Sequence, residues 1–203
     1  AGGWVAAGSG HVAVLRLLAG RGANVETLVN DGATPAWVAA QNDHVEVVRL
    51  LAELGANVET PNNNGCTPAY VAVWTGSLEA VRLLVEVMAK VDTPDNNRAT
   101  PACVAAQNGH VEVLRLLAEL GADVEKPNNQ GCTPAHITAQ FGHAAVLRVL
   151  ASFKASVTEE IQGRTPLRLS VRGGHLEASQ TLLLLGAPVT TRDLKQYTNA
   201  CAD

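Results

Sequence analysis

The chain has 203 residues, 47% of them hydrophobic and only 3% aromatic, with 15 Lys and Arg against 19 Asp and Glu and a formal net charge of −4. So apolar a composition excludes an intrinsically disordered chain, and the acidic balance gives no footing for electrostatic nucleic-acid binding. No stretch reads as a secretory signal peptide, and no apolar run is long enough to cross a membrane.

The first segment, Gly3-Trp4-Val5-Ala6-Ala7-Gly8-Ser9-Gly10-His11, aligns with residues 36 to 44 further on. Ala1 stands where the alignment expects a Thr, so the chain reads as cut from a longer protein. Next comes Asp31-Gly32-Ala33-Thr34-Pro35-Ala36. It recurs as Asn64-Gly65-Cys66-Thr67-Pro68-Ala69, Asn97-Arg98-Ala99-Thr100-Pro101-Ala102 and Gln130-Gly131-Cys132-Thr133-Pro134-Ala135, and more loosely as Gln162-Gly163-Arg164-Thr165-Pro166-Leu167. The Thr-Pro pairs begin at 34, 67, 100, 133 and 165, giving steps of 33, 33, 33 and 32. A fixed period of this size signals stacked units, none of which can bury its apolar face alone. Each Thr-Pro is a helix start, because threonine caps free N–H groups and proline fits the first helical position.

Within a unit the reading is helix, turn, helix, then an extended hairpin. In the second unit the second helix reads Val45-Glu46-Val47-Val48-Arg49-Leu50-Leu51-Ala52-Glu53-Leu54. Positions 47, 48, 50, 51 and 54 form a buried stripe at the helical period. Gly55 then supplies the left-handed residue that ends the helix. The third unit repeats the plan, with a first helix from Pro68 through about Trp74, a turn at Thr75-Gly76-Ser77 and a second helix from Leu78 to about Val87. Six units follow, at 1–33, 34–66, 67–99, 100–132, 133–164 and 165–190. Residues 191–203 read as a closing segment, in which Leu194, Tyr197 and Cys201 have helical spacing. The expectation is one domain of 203 residues without an internal linker.

Thr100-Pro101-Ala102, Ala105-Ala106, Gly109-His110-Val111-Glu112-Val113, Leu116-Leu117 and Gly121-Ala122-Asp123-Val124 resemble the ankyrin-repeat pattern, and the likeness covers nearly the whole chain. The resemblance implies an all-α, curved solenoid of stacked helix-turn-helix units with β-hairpin fingers. It also implies a non-catalytic, protein-binding scaffold without cofactors. Its binding surface would be the concave face of fingertips and first helices.

Departures from the pattern are specific. The pattern's first-helix histidine appears only as His136, with Trp4, Trp37, Tyr70, Cys103 and Arg168 at the equivalent places. Met88 and Lys154 replace the helix-ending glycine, which implies a strain on the order of 1 kcal/mol each if the turn is kept. Arg98 replaces a fingertip glycine, and the fifth finger, Val157 to Arg164, is one residue short, so both joints are expected to be irregular. Glu26, Glu59, Asp92 and Glu125 occupy the finger position where the family carries a hydroxylatable Asn, which argues against that modification.

Other constellations read as structural. His11, His44, His110, His143 and His175 form a column broken by Ser77. Layers about 8–10 Å apart cannot converge on one metal ion, so these histidines are expected to bond nearby backbone. Glu46, Glu79 and Glu112 precede Arg49, Arg82 and Arg115 by three residues, as expected of a solvated outer face. The same spacing argues against a Cys66–Cys132 disulfide, which needs α-carbons within about 7 Å, and free thiols fit a reducing compartment. No nucleophile–base pair or phosphate loop is present in the sequence.

The residues that follow the Ala-Ala pairs on the first helices are Gln41 and Asn42, Trp74 and Thr75, Gln107 and Asn108, Gln140 and Phe141, and Arg172 and Gly173. By the resemblance these face a partner, together with the fingertip residues Leu28, Asn30, Asp31, Asn63, Asn64, Asn96, Asn97, Asn129 and Gln130. Trp74 and Phe141 are its large apolar members, and aromatics are favoured anchors of interfaces. Trp4, Trp37 and Tyr70 are assigned to packing. The function expected is therefore a monomeric scaffold for a protein partner in the cytoplasm or nucleus, with neither nucleic acid nor membrane as a partner. The alternatives are a regulatory or substrate-recruiting segment of a larger kinase, phosphatase or ubiquitin-ligase protein, and a structural spacer without a specific partner.

Overall fold

The computed structural model describes residues 2–189, so the expected closing segment with Leu194, Tyr197 and Cys201 lies outside the described residues. Among those residues are twelve helices and no strand. The first helices of the six repeats are α1 (Gly2–Gly8), α3 (Pro35–Gln41), α5 (Pro68–Thr75), α7 (Pro101–Asn108), α9 (Pro134–Phe141) and α11 (Pro166–Arg172). The second helices are α2 (Val12–Gly20), α4 (Val45–Glu53), α6 (Leu78–Glu86), α8 (Val111–Glu119), α10 (Ala144–Ser152) and α12 (Leu176–Leu184).

Local chemistry sets these boundaries. The hydroxyls of Thr34, Thr67, Thr133 and Thr165 accept from the backbone N–H of Trp37, Tyr70, His136 and Arg168, and a proline follows each cap. The second helices end where φ turns positive. Gly55 and Gly121 do this without strain, while Met88 (φ 67°) and Lys154 (φ 63°) hold the same left-handed turn despite their side chains.

The chain divides into two compact units, Ala1–Pro101 and Ala102–Asp203. In the first, α1, α3 and α5 pack side by side, α2, α4 and α6 form a second row, and each helical hairpin joins the rows. Between the rows lie Leu15, Val48, Leu51, Val81 and Leu84, all without exposed surface. In the second unit α9 packs on α11, and α8, α10 and α12 form the outer row over Leu114, Leu117, Leu147 and Leu182. Burying one such side chain contributes about 1.5–3 kcal/mol, so these residues hold each stack together.

The fingers contain no strand among the described residues; they are tight turns. In the second finger Asn62 N–H donates to the Cys66 carbonyl at 3.0 Å and Gly65 N–H returns to Asn62 at 2.9 Å. The Asn62 Oδ1 accepts from the N–H of Asn64 and Cys66. This is the three-residue loop that places a left-handed residue last. Asn128 closes the fourth finger in the same way, onto Gln130 and Cys132.

Arg98 does not disturb its finger. Asp95 N–H donates to Ala99 at 3.0 Å, Arg98 N–H donates to Asp95 at 2.9 Å, and Arg98 takes φ 60°. The joint expected to be irregular keeps its form and carries strain instead. The fifth finger does change. Ile161 and Arg164 form an antiparallel bridge by two reciprocal backbone bonds of 2.9 and 3.0 Å, with Gln162 and Gly163 at φ 52° and 76° between them. Removing one residue has converted a three-residue loop into a two-residue one, and that loop requires positive φ at both central positions.

Successive fingers are tied together within each unit. Asn63 N–H donates to Asp31 and Asn96 N–H donates to Asn64, at 2.9 and 3.0 Å. Glu26, Glu59 and Glu125 each accept, through a carboxylate oxygen, from the N–H of the residue 31 places later, Asn57, Lys90 and Ser156, at 2.7, 2.5 and 2.6 Å. A charged acceptor shortens such bonds, which gives these acidic residues a structural role.

Candidate functional site

The surface begins from the carbonyl groups that end the first helices. His44 Nε2 lies 3.0 Å from the Gly8 carbonyl, His143 Nε2 3.0 Å from Gln107, and His175 Nε2 2.9 Å from Gln140. A carbonyl can only accept, so Nε2 carries the proton in each ring. His44, His143 and His175 of the histidine column therefore bond backbone, as expected, but the backbone of the preceding repeat. Each ring also lies on a glycine of that repeat: a Cβ added at Gly10, Gly109 or Gly142 would come within 2.9, 2.7 or 2.5 Å of it.

This clamp fixes the main chain of Gln107 and Gln140 and leaves their side chains exposed. Trp74, at the equivalent place in the sequence of α5, is 52% exposed, and Phe141 beside Gln140 is 46% exposed. Arg172 ends α11 at the equivalent place and is exposed. Asn108 is half-buried, and Asn42 spends its side-chain amide on the Gly8 carbonyl at 3.1 Å. Thr75 turns its hydroxyl back onto Val71 and Ala72 of its own helix.

The fingertip residues Leu28, Asn30, Asp31, Asn63, Asn64, Asn96, Asn97, Asn129 and Gln130 are all exposed, yet they are not equally available. Asn96 donates its side-chain amide to the Asn63 carbonyl at 3.0 Å. The side-chain oxygens of Asn63 and Asn96 lie where a Cβ on Gly32 or Gly65 would stand. These two asparagines are part of the finger-to-finger packing. Leu28, Asn30 and Asp31 instead line a pocket of about 440 Å³ together with Trp4, Val29 and Val38. The sequence points to Leu28, Asn30 and Asp31 but not to the pocket, because Trp4, expected in packing, is 38% exposed and lines it.

The rest of the ring column is buried. Trp37 and Tyr70 are each 6% exposed. Trp37 Nε1 donates to the Cys66 carbonyl at 2.9 Å, and the Tyr70 hydroxyl donates to Asp95 at 3.1 Å. Cys103 donates its thiol to Lys126 at 3.6 Å, and His136 Nε2 reaches Arg164 at 3.2 Å. Four different side chains thus do one job, linking a first helix to the finger that follows. With Nε2 donating, His136 Nδ1 accepts from the Thr133 hydroxyl at 2.8 Å. Burial lowers the pKa of this ring, so it stays neutral at pH 7.

Two further side-chain classes are engaged in pairing or held by burial. Arg49 pairs with Glu46 at 3.9 Å and also with Glu86 of the next repeat at 3.7 Å, Arg115 with Glu112 at 3.6 Å, and Arg148 with Glu177 at 3.0 Å. Cys66, Cys103 and Cys132 are free thiols. Burial, aided by the Asp95 charge, pushes the Cys66 thiol up to about 11 and leaves it protonated and unreactive near neutrality.

A profile of the family described as ankyrin repeats (3 copies) matches residues 4–95, 59–128, 87–160 and 103–193. No curated protein matches the chain.

Proposed function

The chain belongs to the ankyrin-repeat family, and from that premise we propose that it holds a protein partner on the fingertips and first-helix ends of its repeats. Such repeats are generally protein–protein interaction modules and are typically non-catalytic. The reading is carried by Trp74 and Phe141. They keep about half their surface in water on helices whose other ring and histidine side chains, Tyr70 and His136, are buried. A large aromatic held on a rigid element loses little freedom on binding and contributes accordingly.

The partner is bound by one copy of the chain, in the cytoplasm or nucleus. The free thiols Cys66, Cys103 and Cys132 support a reducing compartment. Among the described residues no helix is long and apolar enough to cross a membrane. Trp74→Ala and Phe141→Ala should each weaken capture of a partner by about 2 kcal/mol while leaving the thermal unfolding profile in place. Pull-down with the immobilised chain, read beside circular dichroism, checks this. Unchanged capture by both variants removes these residues from the site.

A further inference from the structure

The first helices differ in charge. Among the described residues α1, α3, α5, α7 and α9 contain no Asp, Glu, Lys or Arg, whereas α11 contains Arg168 and Arg172, and Arg164 stands in the finger before it. The three arginines recur every fourth residue. Arg164 is held by neutral acceptors, the Gln130 carbonyl at 3.2 Å and the Gln162 side-chain oxygen at 3.0 Å. Arg168 donates to the Gly163 carbonyl. Glu177, the nearest carboxylate after Arg172 in sequence, is taken by Arg148. The exposed Arg172 guanidinium has no ion pair or hydrogen bond among the described residues.

His175 then fixes what lies beside it. Its Nε2 donates to the Gln140 carbonyl, and its ring lies where a Cβ on Gly142 or Gly173 would stand. The end of α9, with exposed Phe141, is thereby clamped to the end of α11, with Arg172. A last-turn arginine is also favoured by the helix dipole. The earlier first helices end without one, so a dipole preference is not a general feature of this fold.

We propose that the Phe141–Arg172 corner docks an acidic peptide segment of the partner, an apolar side chain lying on Phe141 and an Asp or Glu carboxylate pairing with Arg172. Charge complementarity selects this occupant: a planar guanidinium suits a carboxylate, and residues 159–172 carry Arg164, Arg168 and Arg172 against Glu159 and Glu160, a net charge of +1. The inference rests on the reading that the first-helix ends bind a protein.

The test is selection of a random peptide library displayed on phage against the whole chain, beside Arg172→Glu and Phe141→Ala. Peptides enriched on the wild-type chain should carry Asp and Glu next to an apolar residue, and Arg172→Glu should shift the enrichment toward Lys and Arg. Arg172→Ala should weaken a selected acidic peptide about two- to fivefold, as for an exposed ion pair, with the loss shrinking at high salt. Enrichment without acidic residues, or enrichment unchanged by Arg172→Glu, overturns the proposal. So does failure to enrich any peptide. If that failure accompanies a continued loss of partner capture in Trp74→Ala and Phe141→Ala, the binding surface stands and only the acidic occupant falls.

Discussion

Asp43 and Ser77 show how one residue constrains another 34 places away. In the layers Gly10/His44, Gly109/His143 and Gly142/His175 an imidazole lies on a glycine with φ between 73° and 81°. Asp43 occupies that glycine's place at φ 57°, and Ser77 occupies the histidine's. The Cβ of Asp43 takes the room an imidazole would need. The short serine fits instead, donating to the Asp43 carboxylate and accepting from Ala80 N–H at 3.2 Å to cap α6. Ser77→His alone should therefore destabilise by about 1–3 kcal/mol through overpacking. Asp43→Gly alone should be nearly neutral, since relief of about 1 kcal/mol of backbone strain offsets a lost hydrogen bond of similar worth. The double variant rebuilds the pair used elsewhere and should recover at least about 1 kcal/mol as coupling energy. Urea unfolding of the four proteins measures it, and additivity within about 0.5 kcal/mol would remove the steric link.

At the scale of the element the Thr-Pro joint was legible because capping and period are local properties of the sequence. The finger was only partly legible. Its missing residue was visible as the step of 32, but the step does not say how a turn absorbs a deletion. The backbone does so by changing loop class, and Gln162 enters left-handed space at φ 52°. Arg98 is misleading in the sequence for the converse reason. The Asp95 carboxylate accepts from Asn97 and Ala99 N–H at 2.9 and 2.8 Å and holds the loop in shape around the strained residue. Asn-Gly is the dipeptide most suited to a two-residue loop with both φ positive. Gln162→Asn should accordingly stabilise the protein by roughly 0.5–1 kcal/mol, the scale of relief at a left-handed non-glycine residue, read as a rise in the urea midpoint at unchanged slope. A fall in the midpoint would mean that the Gln162 bond to Arg164 matters more than the backbone.

For the whole molecule, the consequence of a period is that stability and binding are distributed. The candidate surface is read from the sequence as columns, because residues 33 apart occupy equivalent places in their repeats. Which members of a column are spent on packing was not legible, since that depends on neighbours such as Gly32 under Asn63 or Gly8 beside His44. The same neighbour dependence governs unfolding. In a stack each repeat draws its stability from its own helices and the interfaces on either side, and α4 packs between α2 and α6. Leu51, fully buried on α4, should cost about 2–5 kcal/mol when cut to alanine. The loss should be local. Amide hydrogen exchange of Leu51→Ala should show reduced protection in α2, α4 and α6 and the smallest change in α12, because sub-global opening follows the weakened interfaces. Equal loss of protection across the described helices would instead mean that the repeats unfold as one cooperative block. A graded response would leave Phe141 and Arg172 on well-protected helices while the region carrying Trp74 is softened. Partner capture by Leu51→Ala would then separate the contributions of the two aromatic positions without altering either side chain.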